Sequence, residues 1–233
     1  MTTTNDQALR HPPSGRRSPG RPKLPLDRII ATALEITDTE GVEALSMRLL
    51  AQRLNSGTAT LYRHFANRAA LVGQVVDQVF GEVELDSDAL AAMGWQQACR
   101  TVAQQMFDAL GRHRNVASLL IEQVPVGANA MWVREQCLTV LLAGGFPPEL
   151  AARSYAALAG HVLGFAMQLG GQAGARGDAS GEIAAAFHTI DPERYPATLA
   201  VADSLPVPLP VEFSFGLDLL INGLSLLRES AAG

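Results

Sequence analysis

The stretch SMRLLAQRLNSGTATLYRHF, Ser46–Phe65, decides the fold. Ser46 is a good N-cap, because its hydroxyl can accept from a free helical N–H; Leu49, Leu50 and Leu54 then point inward along a short helix over about 47–54. Asn55-Ser56-Gly57 is turn chemistry, since Asn and Gly tolerate the left-handed backbone that a tight link between crossed helices requires. A second short helix runs from Thr58 to about His64, with Leu61 and Phe65 inward and four residues apart. Two short helices across a tight turn make a helix-turn-helix, whose second helix fits a DNA major groove because that groove is about one helix wide.

Outward from this stretch the pattern stays helical. On the N-terminal side, Leu26, Ile29, Ile30, Ala33, Leu34 and Thr37 predict a helix that Gly41 stops. On the C-terminal side, Asn67 caps a longer helix carrying Leu71, Val72, Val75, Val76, Val79 and Phe80, expected to continue to Glu84. Further helices are predicted near 93–111, 116–123, 128–144, 147–171, 193–202 and 211–229, with Gly or Pro at most junctions. Residues 170–181 are rich in glycine and read as a flexible loop. No segment alternates as a strand, so the fold is all-α: a three-helix helix-turn-helix DNA-binding domain followed by a helical-bundle domain for ligand binding and dimerisation. The expected boundaries are a disordered basic arm at 1–23, the DNA-binding domain at 24–71 and the helical domain at 72–233.

The second short helix offers Thr58, Thr60, Tyr62 and His64 on its exposed face, all hydrogen-bonding groups. Arg63 beside it and Arg68 at the start of the next helix place cations where a DNA backbone would pass. The runs Leu50-Ala51-Gln52-Arg53-Leu54, Thr60-Leu61-Tyr62-Arg63-His64-Phe65 and Asn67-Arg68-Ala69-Ala70-Leu71, with Glu40–Arg48 before them, closely resemble the tetracycline-repressor (TetR) family. The resemblance implies that Arg48 reads a base, that Thr58, Ala59 and Thr60 approach base edges, and that Tyr62, His64 and Arg68 hold phosphates. It also implies a cytoplasmic, ligand-responsive repressor. One departure is Asn55-Ser56 where the family usually carries Gly-Val; Asn can take the glycine's backbone angle, whereas Ser56 gives up an apolar contact.

Charge is distributed as a DNA-binding head would require. Residues 1–72 carry ten Lys/Arg against six acids, while the remainder carries eight against seventeen, within a formal net charge of −5. The arm Arg16-Arg17-Ser18-Pro19-Gly20-Arg21-Pro22-Lys23 is similar to a minor-groove hook; Arg21 and Lys23 either enter an A·T-rich groove or add only nonspecific phosphate attraction. Cys99 and Cys137 read as buried thiols of a reducing compartment. The uncharged run Ser154–Ala175 is long enough to span a bilayer, but His161, two glutamines and five glycines favour a helix buried at an interface, and no membrane partner is expected. The five histidines are scattered, with no metal spacing, nucleophile elbow or phosphate-binding glycine loop, so neither an enzyme nor a cofactor or metal is expected.

In the body, Ala159-Gly160-His161-Val162-Leu163-Gly164 and Phe213–Leu224 resemble two helices of the tetracycline repressors that pair with their symmetry mates. The stripe Leu217, Leu220, Ile221, Leu224 and Leu227 is too apolar for a free surface, with Gly216 and Gly223 allowing close approach. A homodimer with His161, Phe165, Leu217, Leu220, Ile221 and Leu224 at its interface is expected, on a palindromic double-stranded operator. The positions matching the drug and magnesium contacts of the tetracycline repressors are Glu84, Val102, Met106, Leu120 and Gln168. With neither imidazole nor carboxylate at Leu120 and Gln168, magnesium-tetracycline is not the expected effector. A pocket of Val102, Met106, Leu110, Leu120, Met131, Cys137, Phe165 and Gln168 would suit a small hydrophobic or aromatic molecule. A ligand-independent architectural DNA binder is the alternative.

Overall fold

A computed structural model of the chain describes residues 24–121, 124–172 and 175–232. The basic arm, with Arg21 and Lys23, lies outside the described residues. Among the described residues there are eleven α-helices and no strand. The head is built from α1 (Leu26–Glu40), α2 (Met47–Arg53), α3 (Thr58–Leu61) and the start of α4 (Arg68–Phe80). The body follows as α5 (Ser87–Ala92), α6 (Trp95–Arg112), α7 (Ala128–Ala143), α8 (Pro148–Gln172), α9 (Ala175–His188), α10 (Pro196–Ala200) and α11 (Leu209–Ala232).

Local chemistry places the ends of the head's helices. Gly41 stops α1 at φ +87°, and the Ser46 hydroxyl accepts from Leu49 N–H at 3.2 Å to start α2. Asn55 takes φ +48°, the left-handed angle expected of the residue in the family's glycine position, while Ser56 N–H closes back on the Ala51 carbonyl at 2.8 Å. The Asn67 side chain accepts from Ala70 N–H at 2.9 Å and opens α4. Leu50, Leu61, Phe65 and Leu71 fill the space between these helices. A Leu→Ala truncation at a site as fully buried as Leu61 costs about 2–5 kcal/mol.

The body is a bundle in which α6, α7, α8 and α11 pack on one another, with α4 leading into it between α1 and α7. Phe107 of α6 stacks on Phe213 of α11 at 4.1 Å between ring centroids, and Arg100 pairs with Asp218 at 2.7 Å across the same helices. Gly144 and Gly145 end α7 for two different reasons: a Cβ on Gly144 would press into Trp95, and Gly145 adopts φ +86°. Although α11 is long and apolar enough by composition to cross a membrane, its inner face packs on α6 and α8.

Four expectations are corrected. The linker helix ends at Phe80, one turn short of Glu84, because Gly81 and two tight turns follow. The short helix α5 lies ahead of the one expected near 93, capped by the Asp86 carboxylate on the N–H groups of Asp88 and Ala89. The Thr58–His64 helix closes as a turn after Leu61. Helix also covers 170–172 and, as the first half of Ala175–His188, residues 175–181, where glycine content predicts a loop; residues 173–174 of that stretch lie outside the described residues.

Candidate DNA-reading surface and apolar cavity

The head presents one polar face. Thr58, Ala59, Tyr62, Arg63 and His64 are exposed along and just after α3, and Thr60 is half-buried beside them. Tyr62 keeps 55% of its surface, whereas Leu61 and Phe65 on the opposite side are buried and anchor the segment to the head's core. Arg63 reaches back to the Thr60 hydroxyl at 3.4 Å, and Arg48 is exposed on α2 next to this face. A row of hydroxyl, phenol, imidazole and guanidinium groups offers both donors and acceptors to a nucleic acid. Arg68 is employed differently from the expected phosphate contact. Its Nε donates to the Leu45 carbonyl at 2.8 Å and Nη2 to the Val42 carbonyl at 3.2 Å, stapling the link between α1 and α2 onto α4. The Val42 carbonyl also accepts from Leu45 N–H to close the Val42–Ala44 three-ten turn, so the arginine stabilises the head from within.

Two polar clusters tie the head to the body. In one, His113 at the end of α6 lies between two carboxylates, with Nδ1 2.8 Å from Asp38 of α1 and Nε2 2.9 Å from Glu82 after α4. Asn115 adds bonds from its amide to the Thr37 and Asp38 carbonyls. In the other, the buried Asp77 carboxylate of α4 accepts from Ala130 N–H at 2.9 Å and from Asn129 N–H at 3.4 Å, and the Asn129 side chain returns a bond to the Asp77 carbonyl at 3.0 Å. Asp77 therefore caps α7 from a different helix, matching its negative charge to the positive end of the helix dipole. A Cβ on Gly127 would collide with the Asp77 side chain, so glycine there permits the close approach.

α7 in turn forms a wall of an apolar cavity between α6, α7 and α8. Of the eight residues expected in a ligand pocket, Val102, Met106 and Cys137 line it. Cys99, Tyr155 and Leu158 complete much of the wall; their signal lay in helical spacing, Cys99 being one turn before Val102, but the pairing of α6 with α8 is a long-range fact. Leu110 and Leu120 are buried elsewhere in the core; Met131 is exposed, its sulfur taken by Arg134 at 2.7 Å; Phe165 packs on His161 and Phe213; Gln168 lies one turn after Gly164 on α8. In this conformation the free volume is about 10 Å³, at the margin for one water molecule, so the cavity is nearly shut. Cys99 and Cys137 are buried beside each other: the interaction with Cys137 and burial push the Cys99 thiol up, while the interaction with Cys99 holds the Cys137 thiol down. A wider, open cleft of about 580 Å³ lies between the end of α4 and α7, where Glu84 and Asp86 face Asn129 and Trp132.

The dimer expectation needs the larger correction. Leu217, Ile221 and Leu224 face inward and are buried within a single protomer, Leu220 is half-buried, and His161 is bonded to the Phe213 carbonyl at 2.9 Å while its ring stacks on Phe213. Helix α11 is apolar on two sides, and the stripe chosen from spacing is the inner one except for Leu227, which is exposed. The outer side exposes Val211, Phe215, Leu219, Leu226 and Leu227, beside a run of small exposed residues on α8, Ala156, Gly160 and Gly164.

The comparisons with known proteins agree with this architecture. Residues 29–75 match the family model for bacterial regulatory proteins of the tetR family, and residues 89–227 match the tetracyclin repressor-like C-terminal domain. The chain is 31% identical over 231 residues to the HTH-type transcriptional repressor DrrR1 of Streptomyces coeruleorubidus, covering 94% of this chain and 85% of that protein. It is 30% identical over 205 residues to the tetracycline repressor protein class E of Escherichia coli, covering 87% and 92%. The Streptomyces coelicolor TetR family protein ActR, solved in complex with actinorhodin, superposes with a TM-score of 0.78 at 30% identity, covering 88% of this chain and 98% of that one. The chain belongs to the TetR family of DNA-binding transcriptional regulators.

Proposed function

We propose that the chain is a ligand-responsive repressor, a homodimer that grips a palindromic operator with its two α3 segments and lets go when a small hydrophobic or aromatic molecule opens the apolar cavity. The observation that carries this reading is the exposed face of Thr58, Ala59, Tyr62, Arg63 and His64 on a head whose other side is packed shut. Arg48 and Thr60 would join that face at base edges, with Tyr62 and His64 on phosphates. The dimer is supported by the outer row of α11, since five large apolar side chains beside a small-residue run on α8 form a surface that water disfavours and a second copy would cover. Release is supported by the connection from cavity to head. An effector enters only by spreading α6, α7 and α8, and α7 is fixed to α4 through Asp77, so the opened state carries α4 and its head to a new position. The effect is as large as the effector's preference for the open state. The complexed ActR structure supports ligand response as a property available to this fold.

The test is fluorescence anisotropy on an operator selected from genomic fragments, followed by titration of a small-molecule panel. Selective binding of one fragment that a panel member reverses is the expected result. Selective binding that no member of a broad panel weakens would favour an architectural protein, and loss of all DNA affinity at low salt would remove the reading.

A further inference from the structure

Arg134 stands on α7 one turn before Cys137, just outside the lining of the apolar cavity. Its Nε donates to the Tyr155 hydroxyl at 3.1 Å, and the guanidinium carbon is 5.6 Å from that ring's centroid; Tyr155 is itself part of the cavity wall. Nη2 donates to the Pro125 carbonyl at 2.9 Å and Nη1 to the Met131 sulfur at 2.7 Å. All three acceptors are neutral, and among the described residues no carboxylate pairs with this half-buried guanidinium. Arg100, Arg112 and Arg153 each have one. Two other half-buried arginines also lack one: Arg68 lies in the head on the Leu45 and Val42 carbonyls, and Arg228 lies over the Trp95 ring at the other end of α7. A partly desolvated cation with only dipoles for company has no counter-charge, and the planar fork of arginine is matched best by an oxyanion.

We propose that Arg134 is the anion receptor of this cavity and that the effector is an organic acid, an apolar body carrying one carboxylate or sulfonate. The inference rests on the ligand-sensing reading above and narrows its chemical class. The apolar body spreads the walls at Val102, Met106 and Leu158, and the acid takes the guanidinium from Tyr155 and Pro125. Freed of its bond, the Tyr155 ring leaves the cavity wall, so one contact both orients the ligand and unlocks its entrance.

The experiment uses the full chain and two fluorescent probes with the same aromatic body, anilinonaphthalene sulfonate and the neutral phenylnaphthylamine. Affinities are measured for the wild type, Arg134→Met and Arg134→Lys, with circular dichroism as the folding control. The wild type is expected to bind the sulfonate about tenfold or more tightly than the neutral probe. Arg134→Met should remove that preference, and because it also frees Tyr155 the neutral probe should bind as well as before or more tightly; Arg134→Lys should retain most of the preference. Sulfonate bound elsewhere on the surface does not respond to Arg134 and subtracts out. Equal affinity for both probes in the wild type, or a preference that survives Arg134→Met, overturns the anion receptor alone. If neither probe binds, the ligand-sensing reading of the cavity falls, and the inference with it.

Discussion

Replacing Asp77 by alanine removes the carboxylate that receives the N-terminus of α7, and the cost can be worked from the geometry. Two backbone donors, Ala130 and Asn129, lose an ionised acceptor at 2.9 and 3.4 Å, at a site only 9% exposed where water replaces it poorly. A cap is worth about 0.5–2 kcal/mol, and a charged acceptor at a buried helix start adds up to about 2 kcal/mol from the dipole. The expected loss is about 3 kcal/mol, a fall in Tm of roughly 6–12 °C for a chain of this size. Asp77→Asn keeps an oxygen acceptor but not the charge and should lose about 1 kcal/mol. Gly127→Ala attacks the same junction from the other side, pushing a methyl into the Asp77 side chain, and should lose about 1–3 kcal/mol. Thermal unfolding followed by circular dichroism at fixed protein concentration measures all three, and operator anisotropy with and without effector measures the coupling. Because the junction joins cavity to head, Asp77→Ala should also blunt release by effector. If Asp77→Ala unfolds at the wild-type temperature and releases DNA normally, the capping account and the coupling route drawn from it are wrong.

Other perturbations separate the surfaces. Tyr62→Ala should weaken operator binding by about 10–100-fold without changing mass in solution, since the proposed dimer would lose two phosphate contacts; anisotropy and light scattering check the pair. Phe215→Glu with Leu219→Glu should give folded monomers on sedimentation, whereas Leu224→Asp, buried inside the protomer, should unfold the body; a folded monomer from the second would reverse the assignment of faces. His113→Ala breaks both carboxylate bonds between head and body, and should raise hydrogen exchange at the end of α1, Thr37–Gly41, more than in α8. Cys99→Ala removes the interaction that holds the Cys137 thiol down, so alkylation of Cys137 at mildly alkaline pH should slow rather than accelerate; mass spectrometry reads the rate.

The head was readable from its sequence because its punctuation is local. Ser46, Asn67 and Gly41 each act on backbone within a turn of themselves, and Asn55 declares its left-handed angle by residue type. The internal bonds of Arg68 left no signal in the sequence because its partners, the carbonyls of Val42 and Leu45, are more than twenty residues away. The α11 stripe was ambiguous for a different reason: with apolar residues on both sides, spacing alone cannot tell the face turned to α6 and α8 from the face turned outward. The cavity was half legible. Val102 and Met106 share a helical face with Cys99, yet Tyr155 and Leu158 come from a helix whose contact with α6 no local pattern encodes. α9 was missed because glycine content lowers helix propensity without forbidding a helix that packs against α10 and the Ala202–Ser204 turn.

A hydroxyl-radical footprint of the full chain over the DNA flanking its own gene tests the paired grip on the operator most directly. Two protected patches on one face of the duplex, centred about one helical turn (about 34–36 Å) apart and erased by Tyr62→Ala, are the predicted result. No protection, a single patch, or an unchanged footprint with Tyr62→Ala would contradict it.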